Sequence, residues 1–364
     1  MRRHEIDWIR NISILMLFAY HTAAIFCKFG DFYIVSEQKN FLADLLIIVL
    51  FVWYMPMLFF LAGASTHFSL ENRSIKDYMK ERIRKLLVPL IFGIIVVVPP
   101  QTYLARVWRG ETNLNYFEHL KYFFTNINDF SGFDGAFTPA HLWFILYLFV
   151  VSIIGGFIIY KIFKGDCGEK IINIIKSIFF GKFSILTLLT LGVISDLFPS
   201  IMGKSILGCL IVFIFGYITY KDITLIEKIQ ANKFKFLLIF IGCGLFGILY
   251  TFLMRPDEVN TFIWVIDSLF KNTLLISAIG AVVAFSSIYL NKSNKVLRYL
   301  NKSAFAVYII HQPILLALAF IIIPIIKSTT LSMILIIVLS TAITFIVYEI
   351  LRKMKIFNKV LIMR

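Results

Sequence analysis

Ten segments of mostly apolar residues, each near the length that crosses a bilayer, constrain this sequence more than any other feature. A helix needs about 20 such residues to span the hydrocarbon core. With 59% hydrophobic and 16% charged residues, against roughly 45–50% and about 25% in soluble domains, the chain has more apolar surface than a water-soluble fold can bury. We therefore predict an all-α, polytopic membrane bundle of about ten transmembrane helices, forming one domain over residues 1–364. The segments are residues 8–27, 44–66, 85–104, 141–162, 183–199, 202–220, 234–254, 262–290, 303–326 and 329–351.

Segments five and six meet at Pro199, Ser200 and Ile201. Their combined length, about 38 residues, far exceeds one crossing, so a tight hairpin is predicted between them. The eighth segment is long enough to tilt or break. The basic start of the chain, followed by an apolar run, also suits a signal peptide. Because His21 interrupts that run, we interpret the segment as an uncleaved first helix.

Lysine and arginine are distributed unevenly over the connections between these segments. One set of alternate connections, together with both termini, carries 26 of the 36 basic residues, and the other set carries eight. Because cytoplasmic loops carry the excess, both termini are predicted to lie in the cytoplasm. The net charge of +15 is thus explained by topology, and no separate basic domain indicates nucleic acid. Arg10 and Lys271 are the two basic residues inside spans.

The longest connection, residues 101–140, falls on the predicted outer side. It is too short to fold alone without staples, so we predict a re-entrant or capping loop over an outward-facing cavity. The four cysteines occur singly, without the spacing of a metal or redox pair. They are interpreted as structural thiols, and no metal site is predicted. They are Cys27, Cys167, Cys209 and Cys243.

An ionisable residue near the centre of a span costs at least ~2.5 kcal/mol, which makes each one a candidate functional residue. Arg10 and His21 in the first span are eleven residues apart, on nearly one face and ~16 Å apart along the axis. His311 lies at similar depth in the ninth span, where Pro313 can bend the helix around a cavity. We predict that His21 and His311 line one polar cavity. A snorkelling arginine and two unrelated packing histidines would explain the same residues.

The remaining polar residues in or near spans have structural interpretations. His141 and Trp143, at the outer end of the fourth span, are typical interfacial anchors. Asp267 and Lys271 are spaced to form a local ion pair. Glu349, near the cytoplasmic end of the last span, is predicted to form a salt bridge with a neighbouring basic residue.

The second span ends in the small residues Ala62-Gly63-Ala64-Ser65, which let another backbone approach closely. A basic run follows it. Arg82 and Lys85 in that run, with Arg10, form a rim suited to the phosphates of an anionic cytosolic ligand. A plain topology signal explains the same run.

Taken in order, these residues resemble the acyltransferase-3 family of bacterial membrane enzymes, most closely its glucan succinyltransferase branch. The resemblance runs from Glu5 to about Lys359. Two positions depart from the family pattern: Ala62 stands where serine is frequent, and Lys85 stands where arginine is frequent, keeping the charge but losing the bidentate fork. The residues that carry the resemblance are Arg10 with His21, Phe59 to Gly63, Arg82 and Lys85 before Pro89, His141-Leu142-Trp143-Phe144, and Tyr308 with His311.

The resemblance implies a multi-pass enzyme of the bacterial cytoplasmic (inner) membrane. Such an enzyme moves an acyl group, of acetyl or succinyl type, from cytosolic acyl-CoA to a hydroxyl of an extracytoplasmic carbohydrate. Acyl-CoA is then a co-substrate, and no permanently bound cofactor is expected. A succinyl donor would need an extra cation near the thioester, for which Lys271 is the candidate.

The resemblance also implies roles for individual residues. By it, His21 is the catalytic base and Arg10 its companion. Independently of the resemblance, we assign Tyr308 or His311 as donor to the oxyanion. Arg10 is further expected to bind the CoA phosphates together with Arg82 and Lys85. His141 and Trp143 are expected on the substrate side.

Two other classes fit the same features. A transporter or flippase for a glycan or lipid-linked precursor also has midplane ionisable groups and broken helices. Such a protein commonly shows repeat-related halves, which this sequence lacks, and it needs no basic inner rim. An inactive membrane sensor or scaffold would leave His21 dispensable.

Overall fold

The computed structural model describes residues 3–128, 130–163, 168–180, 184–198, 200–201, 203–254 and 260–357. Within these residues the chain is almost entirely helical. Strand structure in the described part is limited to the antiparallel pair β1 (Ser200–Ile201) and β2 (Lys204–Ser205). This pair forms the hairpin predicted between segments five and six, of which Pro199 lies outside the described residues.

The helices follow one another with short connections. In chain order they are α1 (His4–Phe26), α2 (Phe41–Phe51), α3 (Tyr54–Glu71), α4 (Ile75–Arg82), α5 (Val88–Phe92), α6 (Val98–Arg109), α7 (Tyr116–Thr125), α8 (Trp143–Ile158), α9 (Gly168–Phe180), α10 (Ser184–Leu197), α11 (Ile206–Lys221), α12 (Ile223–Ala231), α13 (Lys233–Leu249), α14 (Thr261–Tyr289), α15 (Lys295–Ile325), α16 (Thr329–Leu351) and α17 (Lys355–Phe357). Single π-helical turns continue α4, α5, α8 and α13, and a 3₁₀ turn, Ala140–Leu142, precedes α8.

The predicted polytopic bundle is confirmed. In the described part of the chain, eight helical stretches are long and apolar enough to cross a membrane, and α11 with α12 makes a ninth only as a pair bent by 99°. Helix α10, in the fifth predicted segment, has 14 residues and is shorter than a full crossing. The eighth segment, which we expected to tilt or break, is the unbroken helix α14. The eight stretches are His4–Phe26, Phe41–Glu71, Ile75–Arg109, Ala140–Phe163, Lys233–Leu253, Thr261–Tyr289, Lys295–Ile325 and Thr329–Leu351.

The third span continues beyond its predicted end. Helix α6 runs to Arg109 and stops because Gly110 adopts the left-handed conformation (φ 69°) that ends helices. Residues 101–109, predicted to begin the outer loop over residues 101–140, therefore belong to α6. The loop itself begins at Gly110. The loop contains α7, whose start is fixed by a capping box between Asn115 and Glu118.

The chain divides into two compact units. The first unit comprises residues 1–10, 48–82 and 147–293. Its closest packing joins α3 and α11: a Cβ on Gly63 would lie 1.8 Å from the carbonyl oxygen of Phe213, and one on Gly216 would lie 1.9 Å from that of Phe60. The two backbones touch because both positions are glycine. The close approach predicted for the small residues that end the second span is confirmed.

The predicted ion pair between Asp267 and Lys271 in the first unit is wrong. The Nζ of Lys271 lies 2.7 Å from both carboxylate oxygens of Asp196 on α10. Asp196 also accepts a hydrogen bond of 2.7 Å from Ser268. A two-oxygen contact from a neighbouring helix is a stronger partner than a carboxylate one turn away on the same helix.

The second unit comprises residues 11–47, 83–146 and 294–364. Helix α15 is its centre and packs against α6 and α16. The predicted salt bridge of Glu349 is confirmed, since its carboxylate lies 2.5 Å from the guanidinium of Arg352 and accepts a 2.9 Å hydrogen bond from Tyr299.

Three of the four cysteines, Cys27, Cys209 and Cys243, are free thiols. Cys167 lies outside the described residues.

Candidate functional site

Three histidines from separate parts of the sequence meet inside the second unit. His21 is on α1, His141 is in the 3₁₀ turn before α8, and His311 is on α15. The ring centre of His311 lies 5.3 Å from that of His21 and 5.2 Å from that of His141. The structure thus brings His21 and His311 together, while the polar cavity between them stays a prediction. His141 is buried rather than placed at the interface, so its interpretation as an anchor is wrong.

The hydrogen bonding of His311 fixes which of its nitrogens is protonated. Its Nδ1 lies 2.7 Å from the carbonyl oxygen of Tyr308, one turn earlier on α15, and so must donate its proton there. In the uncharged ring, Nε2 is then an acceptor, and it is buried with no hydrogen-bond partner among the described residues. The Nδ1 of His21 is buried in the same unpaired state. Two adjacent imidazoles therefore carry nitrogens that are available to hold a proton.

His141 is held from both sides by neighbouring helices. Its Nε2 donates to the carbonyl oxygen of Ile309 at 2.8 Å, and the side-chain amide of Gln101 faces its Nδ1 at 3.4 Å. The hydroxyl of Tyr308 donates to the backbone carbonyl of His141. This bond uses the proton that Tyr308 would need as an oxyanion donor, so Tyr308 positions His141 in this arrangement.

The backbone before His141 is also unusual. Ala140 has φ 49°, in the left-handed region that residues with a Cβ rarely adopt. Its amide donates to Thr138 Oγ1 at 2.9 Å, and the amide of Leu142 donates to the carbonyl of Pro139 at 3.0 Å. Backbone strain of this kind persists only where the surroundings impose it and is frequent at functional sites.

Gln101 and two aromatic rings complete the surroundings of the histidines. The ring of Phe32, between α1 and α2, stacks on His21 with centres 5.6 Å apart and planes 14° apart. The ring of Phe18 meets His311 edge-on at 5.5 Å. Hydropathy alone did not distinguish these two phenylalanines from the 36 others in the chain. For Gln101 the one available signal was an amide in an apolar span, directly after two prolines.

The outer loop reaches the site through α6. Arg109 donates to the carbonyl oxygens of Phe32 at 3.0 Å and Phe133 at 2.6 Å. Trp108 donates to the carbonyl of Val35 at 3.1 Å, and the hydroxyl of Tyr33 donates to that of Ser131 at 2.9 Å. The segment after α1 and the turn after α7 are therefore fastened together, next to the ring that stacks on His21.

Helix α7 of the outer loop is anchored by a buried histidine. His119 Nε2 lies 3.0 Å from the hydroxyl of Thr102 on α6, and that hydroxyl already donates to the carbonyl of Pro99. Burial, together with the nearby positive charge of Arg106, lowers the pKa of His119 to about 4. His119 is therefore uncharged when the loop is packed against α6.

The predicted phosphate-binding residues occupy different surroundings. In the first unit, Arg10 forms a 2.8 Å ion pair with Asp7. Also in the first unit, the guanidinium of Arg82 lies 4.7 Å from the centre of the Tyr78 ring, and its Nε is buried without a hydrogen-bond partner among the described residues. Lys85, in the second unit, is exposed.

Trp143, the remaining predicted site residue, is partly exposed. It meets the neighbouring ring of Phe144 edge-on, with centres 6.3 Å apart. Within the described residues no group of three histidine, cysteine, aspartate or glutamate side chains is arranged to hold a metal ion. The imidazoles of His141 and His311 are instead held by carbonyl and amide groups, which suits acid–base chemistry.

The fold and the histidine cluster define a multi-pass membrane protein with buried acid–base groups. The sequence model of the acyltransferase-3 family, described as an acyltransferase domain, matches residues 3–349. The chain belongs to this family and is an acyltransferase, which decides against the transporter and scaffold alternatives. Comparison with curated proteins and with solved structures gives no significant match.

Proposed function

We propose that this protein transfers a small acyl group from cytosolic acyl-CoA to a hydroxyl of an extracytoplasmic carbohydrate, with His21 as general base. The observation that carries the proposal is the partly exposed imidazole of His21, whose buried Nδ1 lacks a hydrogen-bond partner, beside the ring of His311. An O-acyl transfer needs such a base, since the acceptor hydroxyl must lose its proton as it attacks. Imidazole is the side chain that titrates nearest neutral pH.

The transfer needs one proton to be held temporarily. The acceptor oxygen attacks the thioester carbonyl carbon while His21 takes the hydroxyl proton. The tetrahedral intermediate then collapses, the carbon–sulfur bond breaks, and His21 returns the proton to the departing CoA thiolate. His311 is the second imidazole of the pair. Because two positive charges side by side in buried surroundings are costly, the pair holds one proton at a time, which suits this temporary storage.

The donor's phosphates are assigned to basic residues of α1 and α4. Arg82 is the strongest candidate, because its guanidinium lies 4.7 Å from the centre of the Tyr78 ring and carries its donors in a planar fork that matches phosphate. Arg10, in the same unit, would add charge. For Arg10, phosphate binding competes with its ion pair to Asp7.

The acyl group is proposed to be uncharged, of acetyl rather than succinyl type. The cation considered for a succinyl carboxylate, Lys271, is engaged by both oxygens of Asp196. In the second unit, the rings that contact His21 and His311 belong to phenylalanine, tyrosine and histidine. A buried carboxylate without a paired cation is unfavourable there.

Acyl transfer by the purified protein in proteoliposomes tests the proposal. With radiolabelled acetyl-CoA and a polysaccharide acceptor, we expect wild type to label the acceptor, and His21→Gln to lower the rate at least about 100-fold. His67→Gln, on α3 in the first unit, is the matched control and should remain active. A His21→Gln protein as active as wild type would show that His21 is not the base. Mass spectrometry of cell-surface glycans with and without the gene then identifies the acyl group and acceptor.

A further inference from the structure

Helices α1 and α15 contact each other at two polar positions with the same spacing. The side-chain amide of Asn11 donates to Asn301 Oδ1 at 2.7 Å, and the rings of His21 and His311 lie 5.3 Å apart. The residue numbers in both pairs differ by 290. The two helices therefore run in the same direction and in register, and ten residues separate the two contacts on each, about 15 Å along the axis.

The asparagine contact is incomplete as a hydrogen-bonded pair. Asn11 is 1% exposed, and its Oδ1 is buried without a donor among the described residues. Ser303, the nearby buried hydroxyl on α15, donates to the carbonyl of Leu300 on its own helix. An unsatisfied amide oxygen in a helix bundle is unfavourable, so an N–H group brought by a ligand would supply what the chain does not.

We propose that Asn11, with Asn301, recognises an amide of the donor's pantetheine arm. This inference rests on the proposed use of acyl-CoA. A pantetheine arm carries two secondary amides, and each must be hydrogen-bonded when it leaves water for a helix bundle. An asparagine side chain offers one acceptor and one donor group, which is the complement of a secondary amide.

The spacing selects the amide that lies nearer to the sulfur. Three extended bonds separate the sulfur from the nitrogen of that amide, about 4 Å. The base, the attacking oxygen and the thioester carbon add about 6 Å, at hydrogen-bond and near-attack distances. The carbon–sulfur bond and the hydrogen bond from the amide N–H to Asn11 Oδ1 add about 5 Å more. The total, about 15 Å, matches the distance along α1 from Asn11 to His21. The farther amide would lie about 5 Å beyond Asn11.

An interhelical hydrogen bond that only holds α1 and α15 together would also use two asparagines. The two roles differ in how activity depends on the donor. The probes are S-acetyl pantetheine and two analogues of equal length, in which either the nearer or the farther amide is replaced by methylenes. If Asn11 binds the nearer amide, wild type should lose about tenfold in kcat/KM with the first analogue, equivalent to 1.4 kcal/mol, and markedly less with the second.

Asn11→Leu should abolish this preference by slowing only the reaction of donors that carry the nearer amide, and Asn11→Gln should restore part of it. Asn272→Leu, which removes a buried asparagine of α14 in the first unit, is the control and should keep the preference. Equal kcat/KM for both analogues with wild type would overturn the inference even if Asn11→Leu fails to fold. So would an unchanged preference in a folded Asn11→Leu protein. Absence of any transfer from acetyl-CoA by wild type would instead overturn the proposed function, and this inference with it.

Discussion

The imidazoles of His21 and His311 face each other with centres 5.3 Å apart and planes inclined by 33°, although they belong to the first and the penultimate spans. Each ring has a buried nitrogen without a hydrogen-bond partner among the described residues. A second positive charge at this distance in buried surroundings would be strongly unfavourable. The pair therefore behaves as one proton-binding unit rather than as two independent bases.

The first prediction follows from this coupling. His21→Ala should lower acyl transfer at least about 100-fold and His311→Ala about 10- to 100-fold, while the double variant should be no slower than His21→Ala, because residues that act as a unit are not additive. The measurement is the initial rate of labelled acetyl transfer in proteoliposomes for the three variants and wild type. Effects that multiply in the double variant would show that the two imidazoles act separately.

The second prediction concerns the strained backbone before His141. Ala140→Gly should raise the melting temperature by about 2–4 °C, corresponding to about 1 kcal/mol, because glycine adopts φ 49° without a Cβ clash. Ala140→Val should lower both stability and activity, since a β-branched residue at this φ forces the turn that orients His141 to change. Thermal unfolding in detergent and transfer rates measure the two effects. A glycine variant that melts well below wild type would contradict the strain at Ala140.

The third prediction concerns the contact of α3 with α11. Gly63→Ala should destabilise the protein by about 1–3 kcal/mol or prevent its accumulation, because the new Cβ would lie 1.8 Å from the carbonyl oxygen of Phe213. Gly242→Ala on α13 is the matched control, since nothing lies within 4 Å of its Cβ position. Membrane yield and melting temperature are the readouts. Equal yield and stability of the two variants would mean that α3 and α11 pack less closely.

These positions also show how far the sequence alone could reach. The spans were predictable because a bilayer demands about 20 apolar residues per crossing, and the small residues around Gly63 predicted a close contact. The partner of that contact, Gly216, was not predictable, because hydropathy does not state which helices are neighbours. For the same reason the ion pair of Lys271 was predicted wrongly. Asp267 is its neighbour on the same helix, whereas its partner is Asp196 on another helix.

The candidate site was only partly foreseen, for a related reason. His21 and His311 stood out because ionisable groups in spans are costly, and their similar depth gave them a common location. His141 lies at the end of its span, where position favours an anchor. Its burial depends on α15, which supplies the carbonyl of Ile309 and the hydroxyl of Tyr308. Residues recruited by tertiary contacts of this kind carry no local signal.

The fourth prediction is that acid loosens the outer loop through His119. In the packed loop the pKa of His119 is about 4, against 6.5 for an exposed histidine. Above pH 6.5 both the packed and the released loop hold His119 uncharged, so packing is fully stable. As pH falls from 6.5 toward 4, only the released state takes up a proton, and packing loses up to about 3 kcal/mol. At pH 5.5 the equilibrium constant for opening the loop is about tenfold larger than at neutral pH.

Hydrogen exchange of α7, compared at pH 7.5 and pH 5.5 after correction for the intrinsic rate, measures this opening. We expect protection of residues 116–125 to fall about tenfold at pH 5.5 in wild type. His119→Gln keeps a hydrogen-bonding side chain at Thr102 without a titrating group, so its protection should be the same at both pH values. Because Arg106 contributes to the low pKa of His119, Arg106→Gln should raise that pKa and reduce the total loss of packing stability in acid, while the onset stays near pH 6.5. Equal pH dependence in wild type and His119→Gln would assign the effect to another group.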